Sequence, residues 1–141
     1  MNGIVYAREQ DLPVDDYVDV VGHSALGPTR PIADGERVAA MLAGTSLVVS
    51  ARSDGRCVGI ARCLADFAWV AYCADLAVHE DFQGRGIGEG LLRKCREILG
   101  DGVGMALISV PSAVPFYEKM GERIGLKPQG DTFWLPRTRG V

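Results

Sequence analysis

The sequence predicts an α/β fold in a single domain over residues 1–141, and three observations carry that expectation. A strand-like run, Asp75-Leu76-Ala77-Val78-His79, leads into a glycine-rich turn and then into an amphipathic helix, the strand–turn–helix order of α/β proteins. Upstream, three β-like segments follow one another, two of them joined by Asp54-Gly55, a dipeptide that favours tight hairpins. The length of 141 residues is enough for one hydrophobic core but hardly for two.

Taken in order, Ile4-Val5-Tyr6 reads as a first strand, and Asp11 can cap a helix running towards His23. Gly27 to Gly35 reads as an interhelical loop, and Asp34 can cap a second helix through Val38, Met41 and Leu42. A meander follows: Ser46 to Ser50, Arg56 to Leu64, and Trp69 to Val78 as the longest strand. Ile87, Leu91, Leu92, Cys95, Ile98 and Leu99 then recur at helical spacing, and Gly100 and Gly102 end that helix. Val103 to Val110 reads as another strand. Ser112 is the candidate N-cap of a last helix, with Pro115 in its first turn and Gly121 at its left-handed C-terminal position.

The segment Gln83-Gly84-Arg85-Gly86-Ile87-Gly88 carries the chemistry. Glycines let the backbone turn with several N–H groups pointing inward, and the helix that follows adds the positive end of its dipole, so a phosphate can dock without a metal. Gly88 and Gly90 fall in the first turns of the helix, where each costs roughly 1 kcal/mol against alanine. That cost suggests close approach to something, either a ligand or the sheet. The dinucleotide fingerprint G-x-G-x-x-G fails, because its last glycine falls on Glu89 or Leu91 depending on the frame. Walker A fails because the chain has no Gly-Lys pair. What remains is Q-x-x-G-x-G, which resembles the acetyl-CoA pyrophosphate loop of the GNAT (Gcn5-related N-acetyltransferase) superfamily. About thirty residues on, Phe116-Tyr117-Glu118-Lys119-Met120-Gly121 resembles the helix that carries the tyrosine acid of these enzymes.

The resemblance covers most of the chain and implies a single GNAT acetyltransferase domain with a mixed, mostly antiparallel sheet of about six or seven strands and about four flanking helices. Leu126, Phe133, Trp134 and Leu135 would supply the closing strands, with Lys127 to Asp131 as a turn. It further implies an N-acetyltransferase that moves an acetyl group from acetyl-CoA to a primary amine by direct attack. The co-substrate would lie against Leu76, Ala77, Val78, Gln83, Gly84, Arg85, Gly86, Ile87, Gly88 and Tyr117. Backbone N–H groups at a break in the strand ending at Val78 would polarise the thioester carbonyl, with Val78 as the choice. Tyr117 would protonate the leaving thiolate, since a phenol with a pKa near roughly 10 is comparable in acidity to an alkyl thiol. Asp75, Glu80, Tyr72, Glu36 and His23 all remain open as the base that deprotonates the acceptor. Two departures stand out: Glu122 follows Gly121 where the family commonly has phenylalanine, and Val110 takes the place of a frequent asparagine. The alternative reading is a non-catalytic acyl-CoA-binding sensor or partner module.

The net charge of −3 supplies no basic field for nucleic acid. No stretch approaches the roughly 18 apolar residues of a membrane span, so a cytoplasmic location is expected. Cys57, Cys63, Cys73 and Cys95 lack C-x-x-C spacing and read as buried free thiols, and no metal is expected. The acceptor would be a small-molecule amine or a peptide amine. The resemblance also makes a homodimer plausible.

Overall fold

A computed structural model describes residues 3–139. Its elements are β1 (Ile4–Arg8), α1 (Val14–Gly22), α2 (Gly35–Ala43), β2 (Leu47–Ser53), β3 (Arg56–Ala65), β4 (Val70–Val78), α3 (Ile87–Leu99), β5 (Gly104–Leu107) and α4 (Val114–Ile124). They fall into two compact units that divide between Ile108 and Ser109. The first unit holds one mixed sheet in the order β1-β2-β3-β4-β5, antiparallel throughout except for the parallel β4–β5 pair.

The expected hairpin forms where the sequence places it. Asp54 and Gly55 both take positive φ, 48° and 84°, the requirement of a tight turn whose twist matches its strands. β3, with ten residues, is the longest strand; β4 has nine. Gly59↔Val78 and Arg62↔Asp75 are partner pairs in the same ladder, three positions apart along β3, so they lie on opposite faces of the sheet. An ideal Cβ on Gly59 would lie 3.0 Å from Ile87 Cγ2 and 3.1 Å from Leu91 Cδ1, so a glycine here lets α3 sit close to one face. Tyr17 of α1 meets Asp75 on the other. The core of this unit is a three-layer arrangement in which Tyr17, Val20 and Val21 of α1 and Ile87, Leu91, Leu92 and Cys95 of α3 are buried. All four cysteines are buried and free.

Several boundaries differ from expectation. Asp11 does not cap α1: Pro13 occupies the N-cap and its carbonyl accepts from the Asp16 and Tyr17 N–H groups, while Asp15 and Asp16 complement the dipole in the first turn. Asp34 does cap α2, with Oδ1 accepting from the Arg37 N–H at 3.1 Å. Ser112 lies in a 3₁₀ turn, Pro111–Ala113, and α4 starts after it without a side-chain cap. Gly121 does not end α4. The helix continues to Ile124 and stops at Gly125, whose φ of +83° is left-handed. Gly121 is instead buried where a Cβ would collide with the backbone carbonyl oxygen of Leu126.

The sheet has five strands among the described residues, not six or seven. Residues 126–139 contain no strand, and Phe133 and Leu135 are each 94% exposed. Pro128 and Pro136 cannot donate to a ladder, and with Gly130 they leave only a short apolar segment, Phe133-Trp134-Leu135, between them.

Candidate functional site

The site is built on a break in β4. β3 pairs Arg62 with Asp75 and its next residue, Cys63, with Cys73, so Ala74 is an extra residue bulged out of β4. The parallel ladder to β5 ends at Cys73↔Leu107, yet β4 runs on to Val78. Beyond the bulge, the His79 N–H donates to Val58 O at 2.9 Å, which fixes the alternation. Residues 75, 77 and 79 turn their backbone groups towards β3; Leu76 and Val78 turn theirs to the edge that β5 has left. The Val78 carbonyl on that edge accepts from Gln83 Nε2 at 3.0 Å.

This bond ties the strand end to the glycine loop. Gly84 and Gly86 have φ of +79° and +78°, and Gly86 is the N-cap of α3 with no side-chain cap. Gly90 N–H is bonded to Gly86 O at 3.0 Å, so the N–H groups of Ile87 and Gly88 lie before the first intrahelical bond. Together with the dipole and the left-handed turns, they form a concave donor set suited to an anion. No atom lies within 4 Å of a Cβ built on Gly84 or Gly86, so their glycine character answers to backbone conformation and open space. Gly90 is different: a Cβ there would run into the Tyr6 ring, so its role is packing of α3 on β1. Arg85 folds back, its guanidinium 5.0 Å from the centroid of the Phe82 ring and Nη2 3.3 Å from Asp81 O.

Behind the bulge lies a buried charged network that sequence reasoning missed. Asp75 Oδ2 accepts from Tyr17 Oη and Arg62 Nε, both at 2.6 Å, and Oδ1 accepts from Arg30 Nε at 2.6 Å. Burial works against the Asp75 carboxylate, but the Arg62 charge and the hydrogen bonds from Arg62, Tyr17 and Arg30 outweigh it and hold the carboxyl below its usual range. Burial and the facing carboxylate push the Tyr17 phenol up. Asp75 is thus committed to three donors and is removed as the acceptor's base. The signal was present: an aspartate in an apolar strand, at a position whose parity points inward, needs counter-charge.

The sign of the Asp75 shift gives a testable consequence. A depressed folded-state value contributes stability above the ordinary carboxyl value, about 3.9, that is lost as pH falls through the folded value. Urea unfolding of the parent should therefore show a steep acid-side loss below about pH 4, and Asp75→Asn should flatten that part of the profile. Equal acid slopes in the two proteins would contradict the assignment.

The other base candidates are scattered. Glu36 and Glu80 are exposed, and Tyr72 is half-buried on β4 within the β5 ladder, where it pairs with Ala106. His23 stacks on His79 with ring centroids 4.6 Å apart, and its Nδ1 lies 2.7 Å from Asp19 O. Asp19, His23 and His79 bring potential metal-ligand atoms within 4.8 Å of one another. Two features oppose a metal there. His79 Nδ1 accepts the Asp81 N–H, whereas a ligating histidine normally donates from its second nitrogen, and Arg56 Nη2 already lies 3.2 Å from His79 Nε2. Tyr117 belongs to the second unit, on α4, with its ring edge-on to Phe116 at 5.1 Å. The structure thus brings together Leu76, Ala77, Val78 and Gln83 through Gly88 at one end of β4.

A family model described as "Acetyltransferase (GNAT) domain" matches residues 44–121, more than half of the chain, and runs through β4 and the loop into the helix that carries Tyr117. The chain belongs to the GNAT acetyltransferase family. Among its relatives, an uncharacterized N-acetyltransferase, ycf52, from Pyropia yezoensis is 31% identical over 97 residues, covering 65% of this chain and 54% of that protein. The histone acetyltransferase TAP1 from Glycine max is 29% identical over 149 residues, covering 94% of this chain and 62% of that protein. The chain therefore spans little more than half the length of these curated relatives. A solved GNAT-like fold, the aminoglycoside N-acetyltransferase AAC(6')-Iy in complex with CoA, superposes with a TM-score of 0.68 at 17% identity, covering 96% of this chain and 95% of that one. At that identity the likeness speaks for the fold alone. No helix among the described residues is long and apolar enough to cross a membrane.

Proposed function

We propose that this GNAT protein transfers the acetyl group of acetyl-CoA to a primary amine by direct attack. The observation that carries the reading is the continuous donor edge formed by the Leu76 and Val78 backbone and the start of α3, joined through Gln83 to the Val78 carbonyl. Its length and chemistry suit an elongated ligand with an amide-bearing arm and a pyrophosphate. The arm would extend the sheet as an added strand along Leu76 to Val78, with Ala77 lying between the two donors. The pyrophosphate would sit on the N–H groups of Gly84 to Gly88, with Gln83 bracing the loop and Arg85 free to swing from Phe82 towards the charge.

For the chemistry, amine attack on the thioester carbon forms the new C–N bond and drives charge onto the carbonyl oxygen. Backbone N–H groups beyond the bulge stabilise that oxygen: Val78 is the donor favoured from the sequence, and Leu76 offers a second N–H on the same edge, nearer Ala74. As the C–S bond breaks, Tyr117 supplies the proton to the thiolate. The acceptor ammonium loses its proton to water or to a side chain outside the Asp75 network.

The acceptor class is a small-molecule amine or a peptide amine. Support comes from proteins named for both kinds of substrate, AAC(6')-Iy among the structural neighbours and TAP1 among the relatives. Incubation with acetyl-CoA and a panel of aminoglycosides, polyamines and lysine peptides, followed by thiol release, tests the proposal. Thiol release that requires one class of amine is the expected result. Tight acetyl-CoA binding with no release across the panel would favour a binding module instead.

A further inference from the structure

We infer that Arg30, on the loop between α1 and α2, is a positioning residue that locks the register of the β4 bulge and so decides which backbone N–H groups face the donor edge. The inference rests on the proposed acetyl-CoA site and adds to it the device that keeps that site aligned.

A bulge leaves its extra residue without a partner in the ladder. Here that residue is Ala74, and its carbonyl accepts from Arg30 Nη2 at 2.8 Å. The same guanidinium donates through Nε to Asp75 Oδ1 at 2.6 Å and through Nη1 to Thr29 Oγ1 at 2.7 Å. One planar group therefore holds the bulged residue, the residue after it and its own loop. Arg62 and Tyr17 hold Asp75 from the sheet and from α1. A side-chain period of two makes this consequential: a slip of one residue would turn Asp75 out of its buried cluster and swap Leu76 and Val78 for Ala77 at the open edge. Arg62 and Tyr17 resist the side-chain half of such a slip. Among the described hydrogen bonds, Arg30 makes the side-chain contact to the bulge carbonyl itself, and a fork of fixed geometry suits two acceptors on neighbouring residues in a way that a lysine does not.

The test compares the parent with Arg30→Met and Arg30→Lys. Amide hydrogen exchange should quicken at Asp75, Ala77 and His79, whose N–H groups face β3, in both variants while β2 and the rest of β3 keep their protection. In the transfer assay kcat should fall about tenfold to a hundredfold, the scale of a misplaced donor. Affinity for acetyl-CoA by calorimetry should stay within about threefold, because the remote glycine loop supplies most of the binding. Arg30→Lys keeps the charge beside Asp75, so it should fold even where Arg30→Met does not, and it should still show the kcat loss. Unchanged exchange at Asp75, Ala77 and His79, or kcat within twofold of the parent in folded Arg30→Lys, would overturn the inference. If the parent itself transfers no acetyl group, the proposed function fails while the exchange comparison still decides the register lock.

Discussion

Tyr117→Phe is expected to lower turnover by about 10²- to 10⁴-fold while leaving acetyl-CoA affinity nearly unchanged. The substitution keeps the ring, and with it the edge contact to Phe116, and takes away the phenol proton. A phenol is protonated at neutral pH yet acidic enough to hand its proton to an alkyl thiolate, so its loss is felt as sulfur departs and hardly at all in the ground state. Steady-state kinetics on a variant with a parent-like circular dichroism spectrum, using a verified amine acceptor, measure the effect. Unchanged turnover would return Tyr117 to a packing role on α4.

Gly86→Val should weaken acetyl-CoA binding by about fivefold to thirtyfold in calorimetry, with more lost if the side chain also blocks the ligand. Gly86 has φ of +78° at the helix start, and a residue with a Cβ is disfavoured there by roughly 1–2 kcal/mol. The free loop would relax out of that conformation, and binding would have to restore it. No atom lies within 4 Å of an added Cβ, so the fold should tolerate the change. Gly86→Ala carries the backbone penalty with less bulk and should lose less. Parent-like binding by Gly86→Val would mean that the phosphates rest elsewhere.

The contrast between Gly86 and Gly90 shows how far a sequence carries such a site. Both are glycines near the start of one helix, and both signal close approach. The left-handed N-cap at Gly86 follows from local turn chemistry, whereas the demand at Gly90 comes from Tyr6 on a strand more than eighty residues away. Local rules also located α3, the Asp54-Gly55 hairpin and the Asp34 cap, because each depends on neighbours within a few residues. They misplaced the end of α4, where Gly121 and Gly125 both look like stops. Glu122, Arg123 and Ile124 continue the helix, and the approach of the Leu126 carbonyl accounts for the first glycine. The Tyr17–Asp75–Arg30–Arg62 network was illegible for the same reason as Gly90. Its partners are 13 to 58 residues apart, and only the inward parity of Asp75 hinted at it. The closing strands were inherited from the family pattern, which the Pro128 to Pro136 segment does not follow among the described residues.

The most direct test of the central claim, that the β4 edge and the α3 N-terminus together hold acetyl-CoA, is an amide NMR titration of the full chain with CoA. Saturable shifts are expected, concentrated at Leu76, Val78 and Gln83 through Gly88, with Asp75 and the β1–β2 amides little moved. Saturable binding that shifts amides elsewhere and leaves Gly84 to Gly88 still, or no binding at millimolar CoA, would contradict it.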